Sequence, residues 1–472
     1  MMIHRTGIAG LVVCDLTLHG DQRGWFKENW QREKMVAAGL PDFRPVQHNL
    51  SFNSRRGVTR GLHAEPWDKF ISVAHGNVFC AWCDVRENSP TFGKVVSRVI
   101  GPETAVFVPR GVANGFQTLS EETVYSYLVT DHWSPEAHYS AVNLADPALD
   151  IAWPIPLSDA VISEKDRHHP PLAQATPVPQ QKILVVGSEG QLAQALREEF
   201  CSQNREAEVE FSSRRPGSSP HLDLTAPETL ANLDWRRYRA IINAAAFTSV
   251  DQAESAEGRR DAWQINAAGP GLLAQVAQRY HIPFVQVSTD YVFDGTRLEW
   301  EEQDFPSPLN VYGCSKAAGE LAALGCPRHY IIRTSWVIGA GRNFIRTMVS
   351  LADAGASPSV VGDQHGRPTF SQDLARGIIH LLDNQAPSGI YHLSNSGPQL
   401  SFAELAQHVF QLRGRRPEEI TVVSTEEYSA AQGVSLAPRP AHSTLKLDKI
   451  QETGFYPRDW RDVLPTYVAE VS

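Results

Sequence analysis

Two side chains in the second half of the chain have the spacing of a proton-donating pair. Tyr312 and Lys316 lie four residues apart in the segment Tyr-Gly-Cys-Ser-Lys, so in a helix they share one face. A ketone that receives a hydride must also receive a proton, and a nearby ammonium lowers the pKa of a tyrosine from about 10. With Thr289 at the end of an upstream apolar run, the pattern predicts reduction of a ketone. A surface tyrosine and lysine are the alternative interpretation.

A glycine turn upstream of this pair predicts a dinucleotide site. An apolar run is followed by Gly187 and Gly190 and then by a helical pattern. Glycines permit close approach of a pyrophosphate, and a helix N-terminus offers it free N–H groups. A plain strand-to-helix turn is the alternative. After the second predicted strand, Ser213, Arg214 and Arg215 suit a ribose 2′-phosphate. They favour NADPH as the cofactor, with a simple basic loop and NADH as the alternatives.

A second group of polar residues lies in the first half of the chain. Arg60, His63 and Lys69 form its densest part. Histidine, with an unperturbed pKa near about 6.5, can accept a proton at neutral pH, and lysine can stabilise an oxyanion. A lone histidine in a β-domain is more often structural, and spacing alone does not reveal a catalytic partner.

The composition changes character between residues 168 and 181. This stretch has four prolines and no apolar period, so it is predicted to be an exposed, semi-extended linker. The paired His168 and His169 within it are interpreted as solvated rather than as a metal site. The expected organisation is therefore a first domain over residues 1–167, a linker over 168–181 and a second domain over 182–472.

The two domains have different predicted folds. Residues 1–167 contain short β-rich runs broken by Gly, Pro and Asn, which is typical of an antiparallel sandwich or barrel. Beyond the linker, apolar strands alternate with helical patterns, which indicates a doubly wound parallel sheet. The predicted strands are 69–74, 77–85, 94–100, 104–108 and 123–129 in the first domain and 182–186, 240–246, 283–288 and 329–333 in the second.

The composition excludes several functional classes. A length of 472 residues is too great for one core, and a net charge of −10 gives no basic surface for nucleic acid or an anionic membrane. No apolar run is long enough for a bilayer, and the first residues lack a signal-peptide core. Cys80 and Cys83 have C-x-x-C spacing, but on a strand they face opposite sides, so packed thiols are expected. Six cysteines in such a chain fit the reducing cytoplasm.

Longer motifs in the second domain resemble one family of reductases. They are Gly-Gln-Leu at 190–192, Ile-Asn-Ala-Ala-Ala-Phe-Thr at 242–248, Val-Asp-Gln-Ala-Glu at 250–254, Ser-Pro-Leu-Asn-Val-Tyr-Gly at 307–313, Arg-Thr-Ser-Trp-Val at 333–337, Asp-Gln-His-Gly-Arg-Pro-Thr at 363–369 and Arg-Pro at 439–440. The domain is similar to dTDP-4-dehydrorhamnose reductase, an α/β Rossmann-type extended short-chain dehydrogenase/reductase.

This resemblance implies roles for particular residues. Tyr312 would donate the proton, Lys316 would hold the nicotinamide ribose, and Thr289 would orient the carbonyl. The further residues that it assigns to the cofactor are Gly187, Gly190, Gln191, Leu192, Asp223, Leu224, Ala244, Ala245 and Ala246, and those that it assigns to the sugar are Asp290, Tyr291 and Trp336. Ala195 stands where some members of the family carry a glutamate of a magnesium-mediated dimer contact, so no metal is expected.

Motifs in the first domain resemble a different family. They are Asp-Gln-Arg-Gly at 21–24, Arg-Gly-Leu-His at 60–63, Asp-Val-Arg at 84–86, Ser-Pro-Thr-Phe-Gly at 89–93, Val-Pro-Arg-Gly at 108–111, Leu-Ser at 157–158 and Ser-Glu-Lys-Asp at 163–166. The domain is similar to dTDP-4-dehydrorhamnose 3,5-epimerase, an all-β cupin-type jelly roll that requires no metal. The resemblance implies that His63 is the general base oriented by Asp166, that Tyr127 is the acid on the opposite face, and that Lys69 stabilises the enolate. The residues expected to bind nucleotide or sugar are Arg23, Glu28, Gln47, Asn49, Arg60, Asn114 and Lys165.

Together the resemblances imply two consecutive reactions on one dTDP-linked 4-keto-6-deoxyhexose. Carbons 3 and 5 of dTDP-4-dehydro-6-deoxy-D-glucose would be epimerised, and the 4-keto group would then be reduced to give dTDP-L-rhamnose. A homodimer through the cupin-type domain is expected as well. Asn114 stands where the family has a histidine, and the segment between His63 and Lys69 is short. Three alternatives therefore remain open: a single-centre epimerase, a non-catalytic cupin domain beside an active reductase, and a regulatory nucleotide-binding protein.

Overall fold

A computed structural model describes residues 2–135, 139–433 and 436–471 of the chain. The chain divides into two compact units, Met1–Gln180 and Gln181–Ser472. Within the described residues, no helix combines the length and the apolar character that crossing a membrane requires. Each unit has its own sheets and its own apolar clusters.

The first unit is a sandwich of two antiparallel sheets. One has the strand order β1-β2-β10-β7-β12-β5, and the other has the order β13-β6-β11-β8-β9. The elements are β1 Met2–Arg5, β2 Val12–Asp15, β3 His19–Asp21, β4 Gly24–Phe26, α1 Arg32–Ala37, β5 Gln47–Asn53, β6 Thr59–Ala64, β7 Lys69–His75, β8 Val78–Asp84, β9 Val95–Ile100, β10 Thr104–Val108, β11 Val112–Thr118, β12 Thr123–Val129, β13 Ser140–Ala141 and α2 Glu164–Arg167. The β-rich spacing of the sequence thus corresponds to paired strands, and the predicted cupin-type class is confirmed.

Alternating side chains fill both faces of the central strands. On β8, Cys80 and Trp82 point into the core between the sheets, where they meet Ile71 and Phe116. Cys83 belongs to a separate cluster on the opposite face. Burial raises the pKa of the Cys83 thiol to about 12, and it raises that of Cys80 further. Both cysteines are packed thiols rather than a metal or redox pair.

The proline-rich segment does not behave as the exposed linker that its composition predicts. Val178 is 1% exposed and belongs to the cluster that contains Cys83. Its backbone N–H donates to the carbonyl of Val85, and its own carbonyl accepts from the N–H of Glu87. His169 is buried as well, whereas His168 is exposed. Isolated apolar residues between the prolines therefore attach this segment to the first unit, although they form no period.

The second unit is built on a six-stranded parallel sheet with the order β15-β14-β16-β17-β19-β24. Its strands are β14 Lys182–Val186, β15 Val209–Ser212, β16 Tyr238–Asn243, β17 Phe284–Thr289, β18 Glu299–Trp300, β19 His329–Thr334, β20 Val337–Ile338, β21 Ser359–Val361, β22 His365–Gly366, β23 Thr369–Phe370, β24 Gly389–His392, β25 Leu400–Ser401, β26 Thr421–Val423 and β27 Thr444–Leu445. Its helices are α3 Gln191–Ser202, α4 Glu228–Ala231, α5 Ala256–Trp263, α6 Gly269–Arg279, α7 Val311–Ala323, α8 Phe344–Asp353, α9 Ser371–Asp383, α10 Phe402–Leu412, α11 Thr425–Gln432, α12 Asp448–Glu452 and α13 Trp460–Glu470.

Both faces of this sheet are covered, as the continuous apolar strands require. On β14, Ile183 and Val185 enter one cluster, and Leu184 and Val186 enter the cluster on the other face. The chain steps from β14 to β15 in one direction and then returns past β14 to β16, so the connection reverses between β14 and β16. Open α/β sheets bind ligands at the carboxyl ends of the strands beside such a reversal. The predicted doubly wound class is confirmed.

We expect the boundary at residue 180, rather than at 167, to give two fragments that fold independently. A fragment 1–167 loses the burial of Val178 and should be less stable than fragment 1–180 by ~2 kcal/mol or more. Urea denaturation of the two fragments measures this difference, with 181–472 purified in parallel. Equal stability of 1–167 and 1–180 would contradict the structural role of the segment.

Candidate active sites

The first candidate site is a pocket between the two sheets of the first unit. The pocket is lined from one sheet by β6 and β11 and from the other by β5, β7 and β12. Its lining residues are Ser51, Arg60, His63, Glu65, Lys69, Ile71, Asn114, Phe116, Tyr125 and Tyr127. The pocket therefore brings together the predicted base, acid and enolate-stabilising lysine with two of the predicted substrate contacts.

A β-bulge places Arg60 and His63 on the same face of β6. Residues three apart on a regular strand point to opposite faces. Here Asn114 pairs with His63 and Phe116 pairs with Arg60, so two residues of β6 oppose the single residue Gly115. Gly61 makes this possible, since its φ is +121° and a Cβ there would lie 2.5 Å from the Cα of Gly115.

Asp166 holds the ring of His63. Nε2 of His63 lies 2.9 Å from Oδ1 of Asp166, and the backbone N–H of Gly61 donates to Oδ2 at 3.3 Å. A carboxylate only accepts, so Nε2 carries the proton and Nδ1 keeps the electron pair. Although burial raises the pKa of Asp166, the hydrogen bonds from His63 and from the backbone N–H of Gly61 bring it below the usual value. This arrangement supplies a base whose tautomer is fixed by its partner.

Lys69 and Tyr127 lie in the same pocket with a carboxylate that the sequence interpretation did not include. Lys69 is 5% exposed and forms a close ion pair with Glu65. Burial raises the pKa of Tyr127, and the charge of Glu65 raises it further. Tyr127 is therefore protonated at neutral pH, as a proton donor must be. The buried cation with its paired carboxylate can stabilise an oxyanion.

Asn114 occupies the position directly opposite His63 on the neighbouring strand. Its amide lies 3.2 Å from the hydroxyl of Tyr125, whose ring stacks on Phe116 with 4.1 Å between centroids. Burial raises the pKa of Tyr125 well above its usual value, so this hydroxyl is neutral. Asn114 therefore belongs to an uncharged wall of the pocket and cannot exchange a proton as a histidine would.

The remaining predicted substrate contacts of the first unit lie outside this pocket. Gln47 and Asn49 hydrogen-bond each other at 2.8 Å on β5, on the face that also carries Ser51. Arg23 is 89% exposed on the β3–β4 hairpin and pairs with Asp21. Glu28 is exposed and forms an ion pair with Lys34. Lys165 belongs to the short helix α2.

The second candidate site begins at the turn between β14 and α3. Gly187 has a φ of +92°, and a Cβ there would lie 2.8 Å from the backbone of Ala245, at the end of β16. Ala244, Ala245 and Ala246 therefore lie beyond the strand that the sequence predicted to include them. Gly190 precedes α3 and gives its first N–H groups no side-chain cap. These N–H groups and the close approach of two strand ends fit a dinucleotide pyrophosphate. Gln191 and Leu192 form the first turn of α3.

Thr289, Tyr312 and Lys316 meet where β17 ends and α7 begins. Burial raises the pKa of Tyr312 to about 12, although a hydrogen bond with Thr289 opposes the shift. The net shift of the Tyr312 pKa is therefore upward, opposite to the expected lowering by Lys316, whose ammonium donates to the carbonyl of Val287 at 2.6 Å. Burial lowers the pKa of Lys316 to about 8, against the opposing charge of Glu320.

The start of α7 is fixed by glycine and asparagine contacts. A Cβ on Gly313 would lie 2.2 Å from the carbonyl oxygen of Tyr291, so only glycine permits the approach of this helix to the end of β17. Oδ1 of Asn310 caps the helix by accepting from the N–H of Gly313 at 2.7 Å. The rings of Tyr291 and Tyr312 then meet edge to face at 5.8 Å.

A buried ion pair lies one helical turn beyond Lys316 on the same face of α7. Glu320 and Arg333 are almost fully buried, and Nη2 of Arg333 donates to Oε2 of Glu320 at 2.8 Å. The hydroxyl of Ser288 donates to Oε1 of the same carboxylate at 2.5 Å. This network joins α7 to β17 and β19, so it fixes the distance between Lys316 and Thr289. Its sequence signal is the spacing of Lys316 and Glu320, which are four residues apart on one helical face.

The residues predicted to bind the adenosine end follow β15. Arg214 and Arg215 are exposed, and Nε of Arg215 lies 2.7 Å from Oε1 of Glu189. The hydroxyl of Ser213 donates to the same carboxylate at 3.4 Å. The last two predicted residues are Asp223 and Leu224. Oδ1 of Asp223 accepts from the N–H of Thr225 in a turn. Leu224 belongs to the apolar cluster on one face of the sheet, where it lies beside Gly269.

The predicted sugar contacts of the second unit surround Tyr312. Asp290 is 2% exposed, burial raises its pKa to about 6, and it accepts from the hydroxyl of Thr289 at 3.0 Å. Trp336 has a φ of +43° and stacks on Phe402 at 3.8 Å. Near Tyr291, Nη2 of Arg439 donates to both carboxylate oxygens of Asp251, at 2.8 and 3.0 Å. The sequence signal of this ion pair is limited to the Arg-Pro and Val-Asp motifs, which lie far apart in the chain.

The folds and sites define an acid–base domain of cupin type followed by a dinucleotide-binding domain with a Tyr/Lys pair. Residues 5–174 match the dTDP-4-dehydrorhamnose 3,5-epimerase family, and residues 181–472 match the RmlD substrate binding domain family. The chain belongs to the dTDP-4-dehydrorhamnose 3,5-epimerase family in its first unit and to the dTDP-4-dehydrorhamnose reductase family in its second.

Individual relatives each cover one unit. A protein RmlC homolog of Streptococcus pyogenes serotype M6 is 52% identical over 178 residues, which are 36% of this chain and 89% of that protein. The spore coat polysaccharide biosynthesis protein SpsK of Bacillus subtilis is 38% identical over 62% of this chain and 98% of its own length. The crystal structure of dTDP-4-dehydrorhamnose reductase from Bacillus anthracis in complex with NADP is 33% identical, with a TM-score of 0.55 over 62% of this chain and 99% of that chain.

We expect Gly187→Ala to destabilise the second unit by about 2–4 kcal/mol, because it combines a left-handed φ with a clash against Ala245. Gly190→Ala is the matched control, since its nearest neighbour would lie 3.7 Å away at an ordinary φ. Calorimetric unfolding of the full chain should show a lowered transition only for the first variant. Equal effects of both substitutions would contradict the close approach at Gly187.

Proposed function

We propose that this chain carries out two consecutive steps of dTDP-L-rhamnose formation. The first unit epimerises carbons 3 and 5 of dTDP-4-dehydro-6-deoxy-D-glucose, and the second reduces the 4-keto group with NADPH. The observation that carries the proposal is the set of acid–base side chains in each unit. These sets are His63, Asp166, Lys69 and Tyr127 in the first unit and Thr289, Tyr312 and Lys316 in the second.

The epimerase proposal rests on a base, a proton donor and a lysine that line one pocket. Nδ1 of His63 removes the proton next to the ketone, and Asp166 stabilises the imidazolium that forms. Lys69 stabilises the oxygen of the enolate, and Tyr127 returns a proton from the opposite side. Both carbons flank the same ketone, so one lysine serves both proton removals. Arg60 brings positive charge to the pocket of a protein with a net charge of −10.

The reductase proposal rests on the turn at Gly187 and on α7. NADPH supplies the hydride when it is bound, and the N–H groups before α3 and the opening above Gly187 hold its pyrophosphate. Lys316 binds the nicotinamide ribose, and the neutral hydroxyl of Tyr312 gives its proton to the oxygen at carbon 4. Thr289 orients that oxygen, and Asp290 accepts from a sugar hydroxyl.

The uncharged pair of Asn114 and Tyr125 favours one alternative among those left open. The amide of Asn114 cannot exchange a proton, so the pocket contains one acid–base group fewer than the family pattern, which has a histidine at this position. An enzyme that epimerises a single centre is therefore the second candidate. A purely regulatory role is disfavoured because the Tyr312 and Lys316 pair is intact.

We also propose that the first units form a homodimer and that the enzyme acts in the cytoplasm. Exposed apolar side chains support the dimer. Trp25 and Phe26 project from the β3–β4 hairpin, and Leu50 and Phe52 lie on the outer face of the edge strand β5. Arg23 lies on the same hairpin and would reach a neighbouring copy more readily than its own pocket.

Tyr312→Phe should lower NADPH-dependent reduction by at least about 10²-fold, because the variant lacks the proton donor. Burial of the ring is retained, so the binding of NADPH, measured by fluorescence titration, should stay within about twofold of wild type. Exchange of substrate protons by the first unit should be unchanged in the same preparation. Reduction near the wild-type rate would remove Tyr312 from the mechanism.

His63→Ala should slow the uptake of solvent deuterium into the keto sugar at least about 10²-fold, and Lys69→Met should do the same. His75→Ala, at the exposed end of β7, is the matched control and should exchange normally. The assay contains no NADPH, and NMR reads each carbon separately. Label at carbons 3 and 5 supports the full epimerase, and label at one carbon supports the single-centre alternative. Normal exchange by His63→Ala would place the base elsewhere.

Arg214→Ala combined with Arg215→Ala should lower kcat/KM for NADPH about tenfold or more, because a charge-assisted contact with the 2′-phosphate is lost. The value for NADH should change little, so it serves as the internal control. A preference for NADH in the wild-type enzyme would refute this assignment of the two arginines.

A further inference from the structure

In the first unit, two imidazoles face one carboxylate oxygen, so three side chains that can bind a metal ion lie together. Nε2 of His63 lies 2.9 Å from Oδ1 of Asp166, and Nε2 of His169 lies 3.7 Å from the same oxygen. One ligand atom from each of the three lies within 4.8 Å of the other two. In the part of the chain that the structure describes, this is the one such group of His, Cys, Asp and Glu side chains.

The spacing of these atoms is close to that of a zinc site. Zinc bonds nitrogen and oxygen at about 2.0–2.2 Å, so two ligands in a tetrahedron lie about 3.3 Å apart. The two measured separations bracket this value. Two imidazoles and one carboxylate are also a ligand set that Zn²⁺ uses when a fourth position is left to water. Small movements of the two rings would complete the arrangement.

His169 has no task in the proposed reaction. It does not line the substrate pocket, and its ring meets that of His63 edge to face at 5.3 Å. The side chain is 8% exposed, and its Nδ1 makes no hydrogen bond with any described residue. A neutral imidazole offers a metal ion the electron pair of one ring nitrogen. A buried imidazole that faces a carboxylate is therefore a candidate metal ligand.

We propose that Zn²⁺ binds to His63, Asp166 and His169 and thereby inhibits the epimerase. The inhibition, though not the binding, rests on the proposed role of His63 as the base. With zinc on Nε2 of His63, that nitrogen gives up its proton, and Nδ1 takes one from solvent, so the ring stays neutral. Nδ1 then has no electron pair with which to remove the substrate proton, and Asp166 is bound to the metal instead of the imidazole.

Such a site acts without filling the pocket. Nε2 of His63 faces Asp166, and neither Asp166 nor His169 is among the residues that line the pocket with Lys69 and Tyr127. Zinc should therefore lower kcat for epimerisation while KM for the dTDP sugar changes little. The second unit contributes none of the three ligands, so reduction of an already epimerised keto sugar should continue at the same zinc concentration.

The test compares His169→Gln with His168→Gln in the full-length enzyme. The neighbouring His168 is 76% exposed, so its replacement controls for the loss of one histidine at the same place in the chain. Calorimetric titration with Zn²⁺ measures binding, and solvent deuterium uptake without NADPH measures the epimerase. Wild type and His168→Gln should bind one zinc more than His169→Gln does. Their exchange should fall at least tenfold in zinc, whereas His169→Gln should exchange at the wild-type rate with or without it.

Two results would overturn the proposal. Equal zinc binding by wild type and His169→Gln would show that the three residues form no site. Zinc binding that depends on His169 but leaves deuterium exchange unchanged would refute the inhibition, and it would locate the failure in the assignment of His63 as base. Normal NADPH binding and normal zinc-free exchange by His169→Gln establish that this variant is folded, so a loss of zinc binding can be attributed to the site.

Discussion

A charged side chain that is withdrawn from water needs a partner inside the protein, and both sites of this chain are arranged around that requirement. In the first unit, Asp166 is held by His63, and the buried ammonium of Lys69 is paired with Glu65. In the second, the carboxylate of Glu320 accepts from Arg333 one helical turn beyond Lys316. Breaking such a pair by removing one partner costs about 3–5 kcal/mol, so stability and site geometry are linked.

Close approaches between backbone segments position the side chains of both sites. Gly61 permits the bulge that turns Arg60 and His63 to one face, and Gly187 permits the end of β16 to approach the dinucleotide turn. Gly313 does the same for the start of α7 against the end of β17. At each of these points a side chain would collide with backbone, which moves less readily than a side chain. The chemistry of both units therefore depends on positions that carry no functional group.

The sequence could predict the fold classes and several of the residues that the structure brings together in each unit, because strand and helix periods and longer motifs are local signals. It could not predict Glu65 beside Lys69 or the burial of Val178 and His169, since these contacts depend on how distant segments pack. The predicted direction of the Tyr312 pKa shift was wrong for the same reason. Proximity of Lys316 along the helix was visible, whereas burial of the hydroxyl and the contact of Lys316 with a carbonyl were not.

In the proposed function, one chain first epimerises and then reduces the same keto sugar. Incubation of the full-length enzyme with dTDP-4-dehydro-6-deoxy-D-glucose and NADPH in deuterated water tests it directly, with the product analysed by NMR. The account predicts dTDP-L-rhamnose that carries deuterium at carbons 3 and 5 and a hydride-derived proton at carbon 4. A reduced product that keeps the D configuration and carries no deuterium at carbons 3 and 5 would contradict it.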